Sequence, residues 1–160
     1  MSIPTPGSDH QTESLWPAAW LFAVPTMLVL GCGAVGDTEL AAKIKQAVEQ
    51  GDGAVLRMDQ LTDFAWDRLH VFTPYTTREQ VERELGVAWA GYDASGIERH
   101  DNFTLLLFIS AGQVVRSVAF PLGDGDFSTL HRPQGYARAE AIFSVATLDG
   151  RKIIRVWKAG

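Results

Sequence analysis

Phe64–Gly86, FAWDRLHVFTPYTTREQVERELG, decides the fold because its hydrophobic period changes partway along. In the first half Ala65, Asp67, Leu69 and Val71 point one way, and Phe64, Trp66, Arg68, His70 and Phe72 the other, which is the two-residue period of a strand. Pro74 lacks the N–H that a ladder needs and stops the pairing. The spacing Thr76-x-x-Glu79 then opens a helix as a capping box, with Thr77-x-x-Gln80 as a second register. Val81 and Leu85 form its buried stripe, Arg78 and Glu82 an ion pair on its wet side, and Gly86 ends it.

Downstream, FTLLLFIS (Phe103–Ser110) is apolar on both faces, with Phe103, Leu105, Leu107 and Ile109 on one and Leu106 and Phe108 on the other. Such a strand belongs in the middle of a sheet with cover on both sides. It pairs with Val114–Phe120 across the tight turn Ala111-Gly112-Gln113. A second hairpin, Ala139–Leu148 with Arg151–Trp157, brackets Asp149-Gly150. Between the hairpins runs a long loop, PLGDGDFSTLHRPQGYAR. Upstream, Asp37 caps a helix reaching about Gln50, with Leu40, Ile44, Ala47 and Val48 on one face and Gly51 at its end, followed by a strand Ala54–Met58. The expectation for residues 37–160 is one α+β domain: a mostly antiparallel sheet of about six strands covered by two helices.

The chain has 160 residues, 46% hydrophobic and 21% charged, a globular composition that excludes disorder. With 19 acidic against 14 basic residues the formal charge is -5, so nucleic acid is not an expected partner. A single cysteine makes no intrachain disulfide, and with four scattered histidines it forms no zinc pattern. No metal and no cofactor is expected.

No charged residue stands between Glu13 and Asp37, and the apolar heart of that run is Leu15–Gly31. Pro17 and Pro25 argue against a core helix, because an interior proline costs about 3 kcal/mol. Residues 1–31 therefore read as a signal peptide or membrane-anchoring segment. Val29-Leu30-Gly31-Cys32 resembles the bacterial lipobox, which implies lipidation of Cys32, a short linker over 32–36, and a domain tethered to the cell envelope outside the cytoplasm. Asp9 and Glu13 stand where a signal peptide ordinarily carries basic residues, so a cleaved ordinary signal and an uncleaved anchor remain open as alternatives.

Trp66-Asp67-Arg68-Leu69-His70-Val71-Phe72-Thr73-Pro74-Tyr75-Thr76, then Leu85-Gly86, Phe120-Pro121 and Gly125-Asp126-Phe127, resemble a family of small bacterial envelope proteins and lipoproteins with a WD-x-L-x-V-F-x-P-Y-T signature. The resemblance spans roughly residues 54–145 and implies an address without an activity. Thr77–Gly86 is also similar to a helix of the SmpA/OmlA-type assembly lipoproteins, which implies protein binding.

Candidate binding residues are Trp66, Asp67, Arg68, His70, Tyr75 and Asp126. A carboxylate, an imidazole and a phenol along one strand and turn can share protons, but Asp67 faces away from His70 in a regular strand, and no G-x-S-x-G nucleophile is present, so no catalytic residue is assigned. The alternative use is structural, with Asp67 and Tyr75 satisfying the turn at Pro74 and Trp66 and Phe72 packing beneath a helix. Gly123-Asp124-Gly125-Asp126 invites a calcium loop, yet Thr129 and Gly135 stand where an EF-hand starting at Asp124 needs Gly and Glu. His100-Asp101 and His131-Arg132 read as isolated loop pairs, and Trp89 and Tyr92 as packing residues.

The expected function is therefore a non-catalytic, lipid-anchored envelope protein that binds another protein or envelope component, marked by an exposed apolar patch on a sheet face or at the Tyr75 turn. A small envelope hydrolase using His70 with Asp126 or a nearby carboxylate would instead show a pocket gathering those groups. An inhibitor or immunity protein for a secreted toxin is a third reading.

Overall fold

The computed structural model describes residues 36–158, so the leader, Cys32 and most of the linker lie outside the described residues. Within that range stand four α-helices and seven strands: α1 (Thr38–Glu49), β1 (Val55–Arg57), α2 (Met58–Leu61), β2 (Arg68–Phe72), α3 (Arg78–Leu85), α4 (Tyr92–Ser95), β3 (Phe103–Ser110), β4 (Gln113–Pro121), β5 (Tyr136–Ala137), β6 (Ile142–Leu148) and β7 (Arg151–Val156). Single turns of 3-10 helix lie at Ser128–Leu130 and Arg138–Glu140. The expected single sheet of about six strands under two helices is thus corrected. The strands divide into a four-stranded sheet, β4-β3-β2-β5, and a separate three-stranded sheet, β1-β6-β7, both antiparallel.

The division follows from where the second hairpin finds a partner. β6 pairs on one side with β7 and on the other with β1, Leu56 opposite Phe143, so the first strand and the last hairpin close a sheet of their own. The larger sheet forms around β3, which is buried along nearly its whole length between β2 and β4. Its register with β4 slips between Phe108 and Ile109 through a bulge.

β2 and β3 lie between two apolar clusters. Leu69, Val71, Leu106 and Phe108 face the larger one, which also holds Leu40, Ile44 and Val48 of α1 and Leu56, Phe143, Val145 and Ile154 of the small sheet. Phe72, Leu105, Leu107 and Ile109 face the smaller one, with Val81 of α3, Tyr92 and Ile97. Asp37 opens α1 by accepting a hydrogen bond from Leu40 N at 2.9 Å, leaving Leu40, Ile44 and Val48 as the buried stripe.

The deciding segment folds with three departures from its reading. Alternation starts only at Arg68; the irregular run before it turns Trp66 into the larger cluster, on the face opposite His70. Thr77, not Thr76, caps α3 by accepting from Gln80 N, while the Thr76 hydroxyl donates to Thr73 O at 2.7 Å. Gly86 ends α3 in the left-handed conformation, φ 74°. Among the described residues no helix is long and apolar enough to cross a membrane.

Candidate functional site

The residues singled out from the sequence occupy five separate places. Trp66 is buried, its Nε1 donating to Thr62 Oγ1 at 2.8 Å and its ring edge-on to Phe108, beneath the Arg138 guanidinium. Asp67 serves a turn, but not the one at Pro74: its carboxylate accepts from Ala111 N at 2.9 Å, bracing the β3–β4 hairpin at a residue with φ 48°. The exposed Arg68 donates to Gln134 O. In the loop after β4, Asp126 accepts from Ser128 N at 2.8 Å and meets Arg151 at 3.8 Å, while its backbone bridges to β7 through Lys152 O and Ile154 N. Asp124 is taken by Lys45 at 2.6 Å, so both carboxylates of the apparent calcium loop have protein partners. Among the described residues no group of three His, Cys, Asp or Glu side chains can hold a metal.

His70 stands on β2 with its ring stacked on Phe72, the centroids 5.9 Å apart. Only 3% of it is exposed, and its buried Nδ1 has no hydrogen-bond partner among the described residues. Burial holds the imidazole below its ordinary value; Glu84 opposes this, and Arg68, His131 and Arg132 reinforce it. Beside it, His131 Nε2 lies 3.2 Å from Glu84 Oε2, and Glu84 Oε1 also accepts from Gln80 Nε2 at 3.1 Å. Gly135 closes over the cluster: a Cβ there would lie 2.6 Å from Leu69 O and 2.9 Å from His70 Nε2.

His131, read from the sequence as part of an isolated pair, thus gains a carboxylate from the end of α3, and Glu84 is the residue sequence reasoning missed. Its signal was weak, because nothing in REQVEREL distinguishes it from the wet-side glutamates. Asp126 is not part of this cluster. Among the described residues the hydrogen bonds of His131 Nε2 go to Glu84 alone.

The Tyr75 turn has a different character. Pro74 and Tyr75 are its central residues, with Thr76 N donating to Thr73 O at 3.3 Å, and Tyr75 holds φ 63° while 60% exposed. A proline followed by a positive φ defines a type II turn, in which glycine or asparagine ordinarily takes the second place. The turn is braced from beneath, as Tyr75 N donates to Ile97 O at 2.9 Å and the buried Tyr92 hydroxyl donates to Thr76 O at 2.8 Å. Burial, with Glu98 adding to it, pushes the Tyr92 phenol up to about 12. Trp89 packs against the smaller cluster under Gly91.

Among the described residues the other exposed large apolar side chains are Val55, Leu148, Val156 and Trp157, and every one lies on or just past the three-stranded sheet. No family model, curated protein or solved structure matches this chain.

Proposed function

We propose that the protein is a non-catalytic, lipid-anchored component of the bacterial cell envelope whose domain binds another protein or envelope component. It follows the family resemblance of the signature and the lipobox-like run ending at Cys32. The observation that carries it is the disposition of apolar surface: Tyr75 projects from a rigid turn, and Val55, Leu148 and Trp157 project from one small sheet. A backbone strained at an exposed tyrosine has no use in packing, and presentation to a ligand is the use it fits. Asp126 is bound to Ser128 N and is not among the charged groups acting on His70, which favours the binding reading over a hydrolase built on that particular pair.

Mass spectrometry of the N-terminus of protein isolated from membranes, with Cys32→Ala as control, tests the address. A diacylated Cys32 is the expected result, and an unmodified peptide crossing position 32 refutes it. Photo-crosslinking in cells from position 75 tests the binding. A discrete adduct is expected there and none from the exposed position 83; equal labelling from both sites refutes a specific contact.

A further inference from the structure

The outward face of the three-stranded sheet can be read from its register. Ser144 lies opposite Val55 and Arg155, Ile142 opposite Arg57, Ala146 opposite Ile153 and Leu148 opposite Arg151. Trp157 N donates to Ile142 O at 3.0 Å, continuing the ladder. One face therefore carries Val55, Ile142, Ala146, Leu148, Ile153 and Trp157 together with Arg57, Arg151, Arg155 and Ser144, and no carboxylate. The opposite face supplies Leu56, Phe143, Val145 and Ile154 to the larger core, whereas the outward aliphatic residues belong to neither cluster.

The charges are sorted as well. The central strand β6 contributes only uncharged side chains, and the arginines stand on the edge strands. Arg57 approaches Asp59 at 3.6 Å and Arg151 approaches Asp126 at 3.8 Å, both from outside the face; Arg155 and Lys158 have no ion-pair partner among the described residues. Arg155, Trp157 and Lys158 line a shallow, open groove with Ser144 and Thr129. In a chain of net charge -5, the stretch from Ile142 onward has Arg151, Lys152, Arg155 and Lys158 against Asp149 alone.

We infer that this face lies against an anionic lipid surface, its aliphatic centre at the headgroup boundary and its guanidinium groups on lipid phosphates. An apolar centre rimmed by long cationic side chains, with an indole at one end, is the arrangement that suits a membrane interface. A second copy of the chain is a poor occupant, because two such faces would set arginine against arginine. Strand addition is also disfavoured, since Asp126 already bonds to the outer edge of β7 and β1 has only three residues. The inference rests on the envelope reading for its location, and the leader and the sheet are separable in the test.

The full chain is mixed with zwitterionic phosphatidylcholine vesicles, or with vesicles containing phosphatidylglycerol, and footprinted with hydroxyl radicals. Leu148 and Trp157 are expected to be protected on the anionic vesicles only, and protection is expected to fade in high salt. A cation near an anionic surface strengthens binding about fivefold, so Arg155→Gln with Lys158→Gln should lower the ratio of anionic to zwitterionic partition roughly 30-fold. Equal oxidation of Leu148 and Trp157 on both vesicle types, or a ratio untouched by the double variant, overturns the inference. Protection by polyglutamate but not by vesicles overturns it in favour of an acidic protein. A chain that ignores zwitterionic vesicles yet is protected at Leu148 on anionic ones defeats the membrane leader and leaves the sheet contact standing.

Discussion

Replacing Gly135 by alanine tests the packing around His70 against a built-in control, Gly86→Ala. Both glycines have a left-handed backbone, φ 60° and 74°, so both variants carry the intrinsic penalty of about 1–2 kcal/mol for an L side chain in that region. The surroundings differ. At Gly86 a new methyl meets nothing within 4 Å, whereas at Gly135 it falls 2.6 Å from Leu69 O and 2.8 Å from His70 Cδ2. Leu69 is paired with Tyr136 in the β2–β5 ladder, so relief requires shifting backbone, not only turning a side chain. Overpacking of this kind costs a further ~1–3 kcal/mol. Gly86→Ala should therefore lose about 1–2 kcal/mol and Gly135→Ala about 2–5 kcal/mol, read from urea midpoints at unchanged slope. Equal losses at the two sites would refute the close approach of the 131–135 loop to β2.

Stability should fall as pH drops below 6.5, because unfolding frees His70 to take a proton that its buried site resists; His70→Phe should flatten that part of the dependence in urea titrations at stepped pH. Tyr75→Asn, which suits a positive φ, should raise stability by about 0.5–1 kcal/mol relative to Tyr75→Ala in thermal melts. Asp67→Ala should cost about 0.5–1.5 kcal/mol by removing the bond to Ala111 N, with faster amide exchange confined to the β3–β4 turn.

The helices with clear caps and stripes were legible from local chemistry. Asp37 and the Leu40-Ile44-Val48 spacing define α1, and Gly86 marks the end of α3. β3 announced its central place through apolar residues on both faces, and Leu69 and His70 do face opposite clusters. Where two local signals competed, the turn at Pro74 chose: Thr76 was free to cap α3 until its hydroxyl took Thr73 O instead. Long-range pairing was not legible. No periodicity in Ala54–Met58 says that Leu56 will lie against Phe143, so the split into two sheets was invisible, as were the short α2, α4 and β5. The site suffered the same way. Asp67 was recognised as polar and available, but its partner stands 44 positions away, and Glu84 meets His131 across 47. The outward sheet face, by contrast, was present in Arg151, Ile153, Arg155 and Trp157 as a period-two pattern that only the burial of the opposite face made meaningful.

The pairing of β1 with β6 also sets an order of assembly. A chain made from its N-terminus carries α1 and β1 long before their mates exist, since Leu56 waits for Phe143 and Val48 for Ile154. The four-stranded sheet can form first from the middle of the chain, whereas the larger core is sealed only when the final hairpin arrives. A polypeptide halted anywhere before Ile142 can set α1 against β4 but leaves Leu56 and the small-sheet side of the larger core bare, a form suited to capture by a chaperone or an export channel.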